Sequence, residues 1–179
     1  MGKKIVLLFL FLALFPCLSP AAEQAAGADE AAQDGRSIQS SSGLPIPRFV
    51  SLSSEKVFVR TGPGLRYPIK WVYQREGMPV EITQEFDTWR KIRDVDGDGG
   101  WVHQSMLSGD RTGIVRGAEN VFVRKKPEAD SGPTTYLEPN VVVGLDACAG
   151  TWCKVTADGY SGWMERKSLW GIYDSEDFD

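Results

Sequence analysis

From residue 48 onward the chain alternates large apolar and polar side chains in short runs. EKVFVR (Glu55 to Arg60), TWRKI (Thr88 to Ile92), ENVFVR (Glu119 to Arg124) and TWCKV (Thr151 to Val155) are examples, with Gly, Pro and Asp between such runs. A period of two puts alternate side chains on one face of a β-strand, and β-branched and aromatic residues suit that face. No apolar stripe returns at helical spacing. The pattern predicts an all-β chain of short strands and tight turns, built as a small barrel or sandwich.

The pattern also repeats. EKVFVR returns as ENVFVR, TWRKI as TWCKV, and GGWVHQSML (Gly99 to Leu107) as SGWMERKSL (Ser161 to Leu169), in the same order, at an offset that drifts only from 64 to 62 residues. This is a duplicated domain with two small cores and not a solenoid. The repeats are placed at 48–109 and 110–173, joined through Ser108-Gly109-Asp110. Within each, a hairpin is expected; in the first it joins residues 79–86 to 88–93 and pairs Glu85 with Arg90. That register puts Trp89 on the face of Val80, Ile82 and Phe86, and Trp152 beside Val141, Val143 and Leu145, as core residues. It also turns Ile92 and Val155 outward, which requires either a bulge or packing between the repeats.

The flanks differ in kind. Lys3 and Lys4 precede an apolar run from Ile5 to Phe15 and then Ser19-Pro20-Ala21-Ala22, so residues 1–21 read as a secretory signal peptide. The apolar run is about half the ~20 residues a membrane-spanning helix needs, and no later segment approaches that length. Residues 22–47, rich in Ala, Gln, Ser, Gly and acids, read as a disordered tether, and residues 174–179 as a solubilising acidic tail. A periplasmic or secreted location follows. In that oxidising setting Cys148 and Cys153, the cysteines left after signal removal, are expected to form a disulfide. They align with Glu85 and Arg90, so one hairpin is bridged covalently where the other carries opposite charges.

The ordered set of V-F-V-R, the Gly62-Pro63-Gly64 loop, T-W-x-K-V/I, G-W-V/M and a closing S-x-L resembles the bacterial SH3-like domain, twice over. The resemblance implies two tandem, strongly bent barrels of five or six strands, exported to the cell envelope, of a kind that often targets cell-wall enzymes. It implies no particular ligand. In that family pattern Trp101 and Trp163, each following a Gly, close the barrel and are assigned to the core. The second copy departs from the pattern at the loop, with KKPEADSGP (Lys125 to Pro133) where the first has TGPGLRYP (Thr61 to Pro68).

Chemistry is bounded by scarcity. Asp94, Asp96 and Asp98 in DVDGDGG alternate as in a calcium loop, but Ser105 stands where the bidentate Glu is needed, and the flanks read as strands. The second copy makes the same connection with ADGYSG. A hairpin turn is the expectation, with at most weak calcium binding and no dedicated metal site or cofactor. His103 is the single histidine, so neither a Cys/His nucleophile pair nor a zinc ligand set can be assembled. A carboxylate mechanism through acids such as Glu81 or Asp94 is disfavoured, because so small a barrel offers little cleft. The chain is expected not to be an enzyme. The formal net charge is −4, but the acidity lies in the tether and tail, and the repeats are close to neutral. No basic patch for nucleic acid emerges.

The remaining candidates are Tyr67, Trp71 and Tyr73, with Arg60 and Arg66 beside them. The aligned segment of the second copy holds no aromatic at these places, whereas a shared barrel core would keep them. They are expected either to line a ligand groove or to bury the interface with the second repeat. The functional expectation is a non-enzymatic envelope module that binds peptidoglycan or its peptides; the alternative is a protein that docks on another periplasmic protein.

Overall fold

The computed structural model describes residues 42–179. The expected signal peptide, and the expected tether as far as residue 41, lie outside the described residues. The rest forms two antiparallel sheets and no α-helix. The first is built from β1 (Arg48–Leu52), β2 (Val57–Arg60), β3 (Ile69–Tyr73), β4 (Pro79–Phe86), β5 (Trp89–Arg93), β6 (Gly99–His103) and β7 (Leu107–Ser108). The second comprises β8 (Thr112–Val115), β9 (Val121–Arg124), β10 (Pro133–Leu137), β11 (Val142–Ala149), β12 (Trp152–Ala157), β13 (Tyr160–Glu165) and β14 (Leu169–Trp170). A single 3-10 turn precedes β7 (Gln104–Met106) and another precedes β14 (Arg166–Ser168). The strand orders, β3-β2-β6-β5-β4-β1-β7 and β10-β9-β13-β12-β11-β8-β14, are the same with every strand advanced by seven. The duplication inferred from the sequence is thus a duplication of topology.

Each sheet bends around its own core. Leu52, Val57, Val59, Val80, Ile82, Ile92 and Val102 fill the first, and Val123, Val143, Leu145, Cys148, Cys153, Val155 and Met164 are central to the second. Period-two alternation is strict in β2, where Val57 and Val59 are fully buried and Phe58 between them is exposed. Gly100 and Gly162 mark where β6 and β13 press on their neighbours. A Cβ there would stand 2.7 Å from the carbonyl oxygen of Arg60 and 2.6 Å from that of Arg124, so only glycine lets the strands approach.

The β4–β5 hairpin has the expected Glu85–Arg90 pairing, and it resolves the conflict over Ile92. Ile82 pairs with Ile92 but Gln84 with Lys91, leaving Thr83 as an extra residue; in β11–β12, Leu145 pairs with Val155 but Ala147 with Lys154, leaving Asp146 extra. One bulge in each copy reverses the parity of everything beyond it. Ile92 and Val155 therefore turn inward. The same reversal corrects the expectation for the tryptophans. Trp89 is buried, but edge-on against the His103 ring and away from Val80 and Ile82, while Phe86 is exposed. Trp152 is half-buried outside the second core, and Trp101 and Trp163 stand across the strand from the buried Val102 and Met164. Beyond the bulge the core face holds Glu85 and Arg90 in one copy and the Cys148–Cys153 disulfide in the other. Both side chains of this ion pair are nearly sealed from solvent, and Arg48 closes on Glu85 at 2.6 Å.

The ends of the described chain are docked. Ser42 donates to the Glu85 carboxylate from its amide and its hydroxyl, both at 2.9 Å. The C-terminal residues are not a free solubilising tail, and that expectation is corrected. Phe178 exchanges two backbone hydrogen bonds with Cys148 and packs on the second core, while Glu176 pairs with Arg111 and Asp177 with Arg166.

The repeats meet through β1 and β4. Phe49 packs edge-on against Trp170, with centroids 5.0 Å apart, and against Tyr173 at 4.7 Å. The Tyr173 hydroxyl donates to Glu81 at 2.8 Å, and Glu81 also accepts from Arg93. The Thr112 hydroxyl donates to the Gly77 carbonyl at 2.7 Å, and Arg75 to that of Asn140 at 2.9 Å.

Candidate functional site

The five residues singled out in the first repeat divide into two groups. Arg60, Arg66 and Tyr67 come together in the loop between β2 and β3. Arg60 donates to the carbonyls of Leu65 and Tyr67, at 3.1 and 2.7 Å, and so staples the loop from beneath. The Tyr67 ring lies on Gly62, where a Cβ would come within 2.5 Å of it. The Arg66 guanidinium stacks 5.1 Å above that ring. Trp71 and Tyr73 instead belong to β3, opposite the buried Val59 and Val57, and pack against the first core. Lys70 covers the Trp71 ring at 4.4 Å, and the indole Nε1 has no hydrogen-bond partner among the described residues. Tyr73 donates to Asp94 at 2.7 Å. Burial, and then the Asp94 carboxylate, push its hydroxyl well above the usual tyrosine range. Neither residue takes part in the contacts with the second repeat described above.

The second copy differs in this loop by side chain and not by backbone. The amide-to-carbonyl bonds Thr61 to Pro68, Gly64 to Gly62 and Tyr67 to Gly64 recur as Lys125 to Gly132, Glu128 to Lys126 and Ser131 to Glu128. Arg124 takes the part of Arg60, donating to the Ser131 carbonyl at 2.7 Å. Pro127, Glu128 and Ala129 therefore occupy the places of Pro63, Gly64 and Leu65.

DVDGDGG is a turn held by its first residue. Asp94 Oδ1 accepts from the amides of Asp96 and Asp98, at 3.1 and 2.9 Å, while Oδ2 accepts from Tyr73. Both oxygens of the first acid are committed, and β5 and β6 flank the turn as strands. Among the described residues no cluster of three metal-ligating side chains forms.

A site the sequence did not disclose lies in the second repeat. Pro127, Glu128 and Ala129 from the loop, Gly150 to Trp152 from the β11–β12 turn, Glu165 to Lys167 at the end of β13, and Asp174 line an open cavity of about 740 Å³. That volume is within the range of small-molecule sites. Trp152 is its aromatic residue. Arg166, buried, donates to the carbonyls of Tyr173 and Glu176 and to Asp177, which holds the tail that carries Asp174. Its Nε has no acceptor among the described residues. The sequence assigned Trp152 to the core because the bulge that moves it off the core face has no marker in sequence. The replacement of His103 by Glu165, visible on aligning the copies, was the available signal.

The bacterial SH3 domain family model matches twice, at residues 53–109 and 117–171. The chain belongs to the bacterial SH3 domain family. Among curated proteins none matches. Solved structures with some likeness include NlpC2 from Trichomonas vaginalis, 14% identical, with a TM-score of 0.33 over 74% of this chain and 51% of that one. NlpC1 from the same organism, also 14% identical, has a TM-score of 0.32 over 73% of this chain and 48% of that one. The chain thus spans about half the length of those proteins. Between the two bacterial SH3 domains of this chain, the decisive difference is at the aromatic after the hairpin turn. His103 lies against Trp89 in the first, whereas Glu165 leaves Trp152 bordering open space in the second.

Proposed function

We propose that this tandem bacterial SH3 protein is an exported envelope module that holds peptidoglycan or its peptides without cleaving them. The observation that carries the reading is the Trp152 cavity, a cleft of ligand-binding size set between the two loops of a domain whose family is one of binding modules. The stack of the exposed Arg66 on the half-buried Tyr67 of the first domain, where Arg60 fixes the loop, supplies a second aromatic contact surface. Trp71 and Tyr73 support it from the core. Co-sedimentation of the full-length chain with purified cell wall tests the proposal: retention of the parent and its loss in a Trp152→Ala variant are expected. A chain that stays in the supernatant at every wall concentration would overturn it.

A second reading has its own observation. Phe58, Phe86, Phe122 and Tyr136 are exposed large apolar side chains, three of them on the outer faces of the β2–β3 and β9–β10 hairpins. Such faces suit docking on an envelope protein. Capture of a defined partner without wall retention would favour this reading.

A further inference from the structure

The charges around the Trp152 cavity are unevenly satisfied. Of its acids, Glu165 pairs with Lys167, but the carboxylates of Glu128 and Asp174 form no ion pair or side-chain hydrogen bond among the described residues. Of its bases, Lys167 is spent on Glu165, and Arg166 is buried and holds Asp177. The uncompensated charge is therefore negative, beside an indole. An aromatic face next to free carboxylates attracts a cation, through the ring quadrupole and Coulomb attraction together.

The first domain keeps the tryptophan, as Trp89, but lacks the acids of the loop and of the strand end. At the place of Glu128 it has Gly64, at that of Glu165 it has His103, and His103 packs on the tryptophan. The acids are thus a property of this cavity and not of the scaffold. We infer that the Trp152 cavity binds a short peptide bearing a primary amine, the ammonium lying between Trp152 and the carboxylates of Glu128 and Asp174. The inference rests on the module reading only in taking a peptide as the ligand class.

The test is a titration of the full-length chain with N-terminally acetylated alanyl-lysyl-alanine, whose lysine side chain carries its one primary amine, and with its Nε-acetylated form. It is followed by calorimetry and by the indole N–H signal of Trp152 in an NMR spectrum. The free amine is expected to bind and to shift that signal, with acetylation weakening binding about tenfold, the order of one desolvated cation–aromatic contact. The Glu128→Gln, Asp174→Asn double variant, which alters surface side chains alone, should bind the free amine no better than the acetylated peptide. Equal affinity for the two peptides, or no binding of either, would overturn the inference. So would shifts centred on Tyr67. Wall co-sedimentation separates the two levels. If the double variant pellets with wall as the parent does, amine recognition fails while the envelope module stands. If the parent ignores wall yet takes the free amine in this cavity, the module reading fails and the site stands.

Discussion

Asp94 anchors its turn by accepting two backbone amides and the Tyr73 hydroxyl, so its carboxylate is a structural acceptor and not a vacant ligand. Asp94→Ala would leave that half-buried hydroxyl without an acceptor. The expected cost is about 1–3 kcal/mol of stability, read from urea unfolding. Calcium at millimolar concentration is expected to leave the melting temperature of the parent unchanged, since a rise of several degrees would require a native-state site. Trp71 makes the complementary case. It packs on Val59 and the first core, so Trp71→Ala should cost about 3 kcal/mol in the same unfolding assay. Arg66→Ala should leave the unfolding curve in place, and Arg66 and Tyr67 are thus the cleaner probes of the first loop. The sequence argued correctly that Trp71 and Tyr73 are particular to the first copy. It could not show that they face inward, because β3 has a register shift opposite Val59 and Arg60 that inspection of alternation does not reveal.

At the scale of elements, two equivalent hairpins are closed by different chemistry at one aligned pair of positions. The Cys148–Cys153 bridge contributes about 2 kcal/mol on the chain-entropy model for so short a loop. Alkylation of the denatured, unreduced protein should find neither thiol free, and reduction should lower the stability of the second repeat. The bridge also lies under the C-terminal strap, whose Phe178 pairs with Cys148. Docking of that strap should depend on pH through Glu176. Burial alone would raise its carboxyl, but hydrogen bonds from Arg111 and the Tyr173 amide, with the charges of Arg111 and Arg166, outweigh burial and hold it below the usual range. A carboxyl lowered in this way stabilises docking above its unfolded pKa and loses that contribution as pH falls through the docked one. The protection factor of the Phe178 amide, its exchange rate corrected for the intrinsic pH dependence, should therefore be high near neutrality and fall as pH drops below the ordinary glutamate range. Asp174 would leave the cavity wall with the strap.

For the described chain as a whole, the two repeats share buried contacts. Phe49 is clasped by Trp170 and Tyr173, and Glu81 is held by Arg93 on one side and Tyr173 on the other. Calorimetry of the parent is expected to give one cooperative transition covering both repeats. Phe49→Ala removes the aromatic that bridges them, at about 3 kcal/mol, and should split or broaden that transition. Two independent transitions in the parent would mean that the interface contributes little.

Alternation, turn residues and the internal repeat were enough to determine strands, duplication, family resemblance and the pairing of Glu85 with Arg90 and Cys148 with Cys153. Those are local or pairwise properties, carried by side-chain type and spacing. The tertiary structure alone decided which face each hairpin turns inward beyond its bulge, because a single extra residue, Thr83 or Asp146, reverses parity without any compositional mark. It also decided the fate of the last six residues. They read as a soluble acidic tail until Arg111 and Arg166, distant in sequence, are brought beneath them. The cavity combines both effects. It needs the bulge to turn Trp152 off the core and the docked tail to place Asp174, and neither is a property of any one segment read alone.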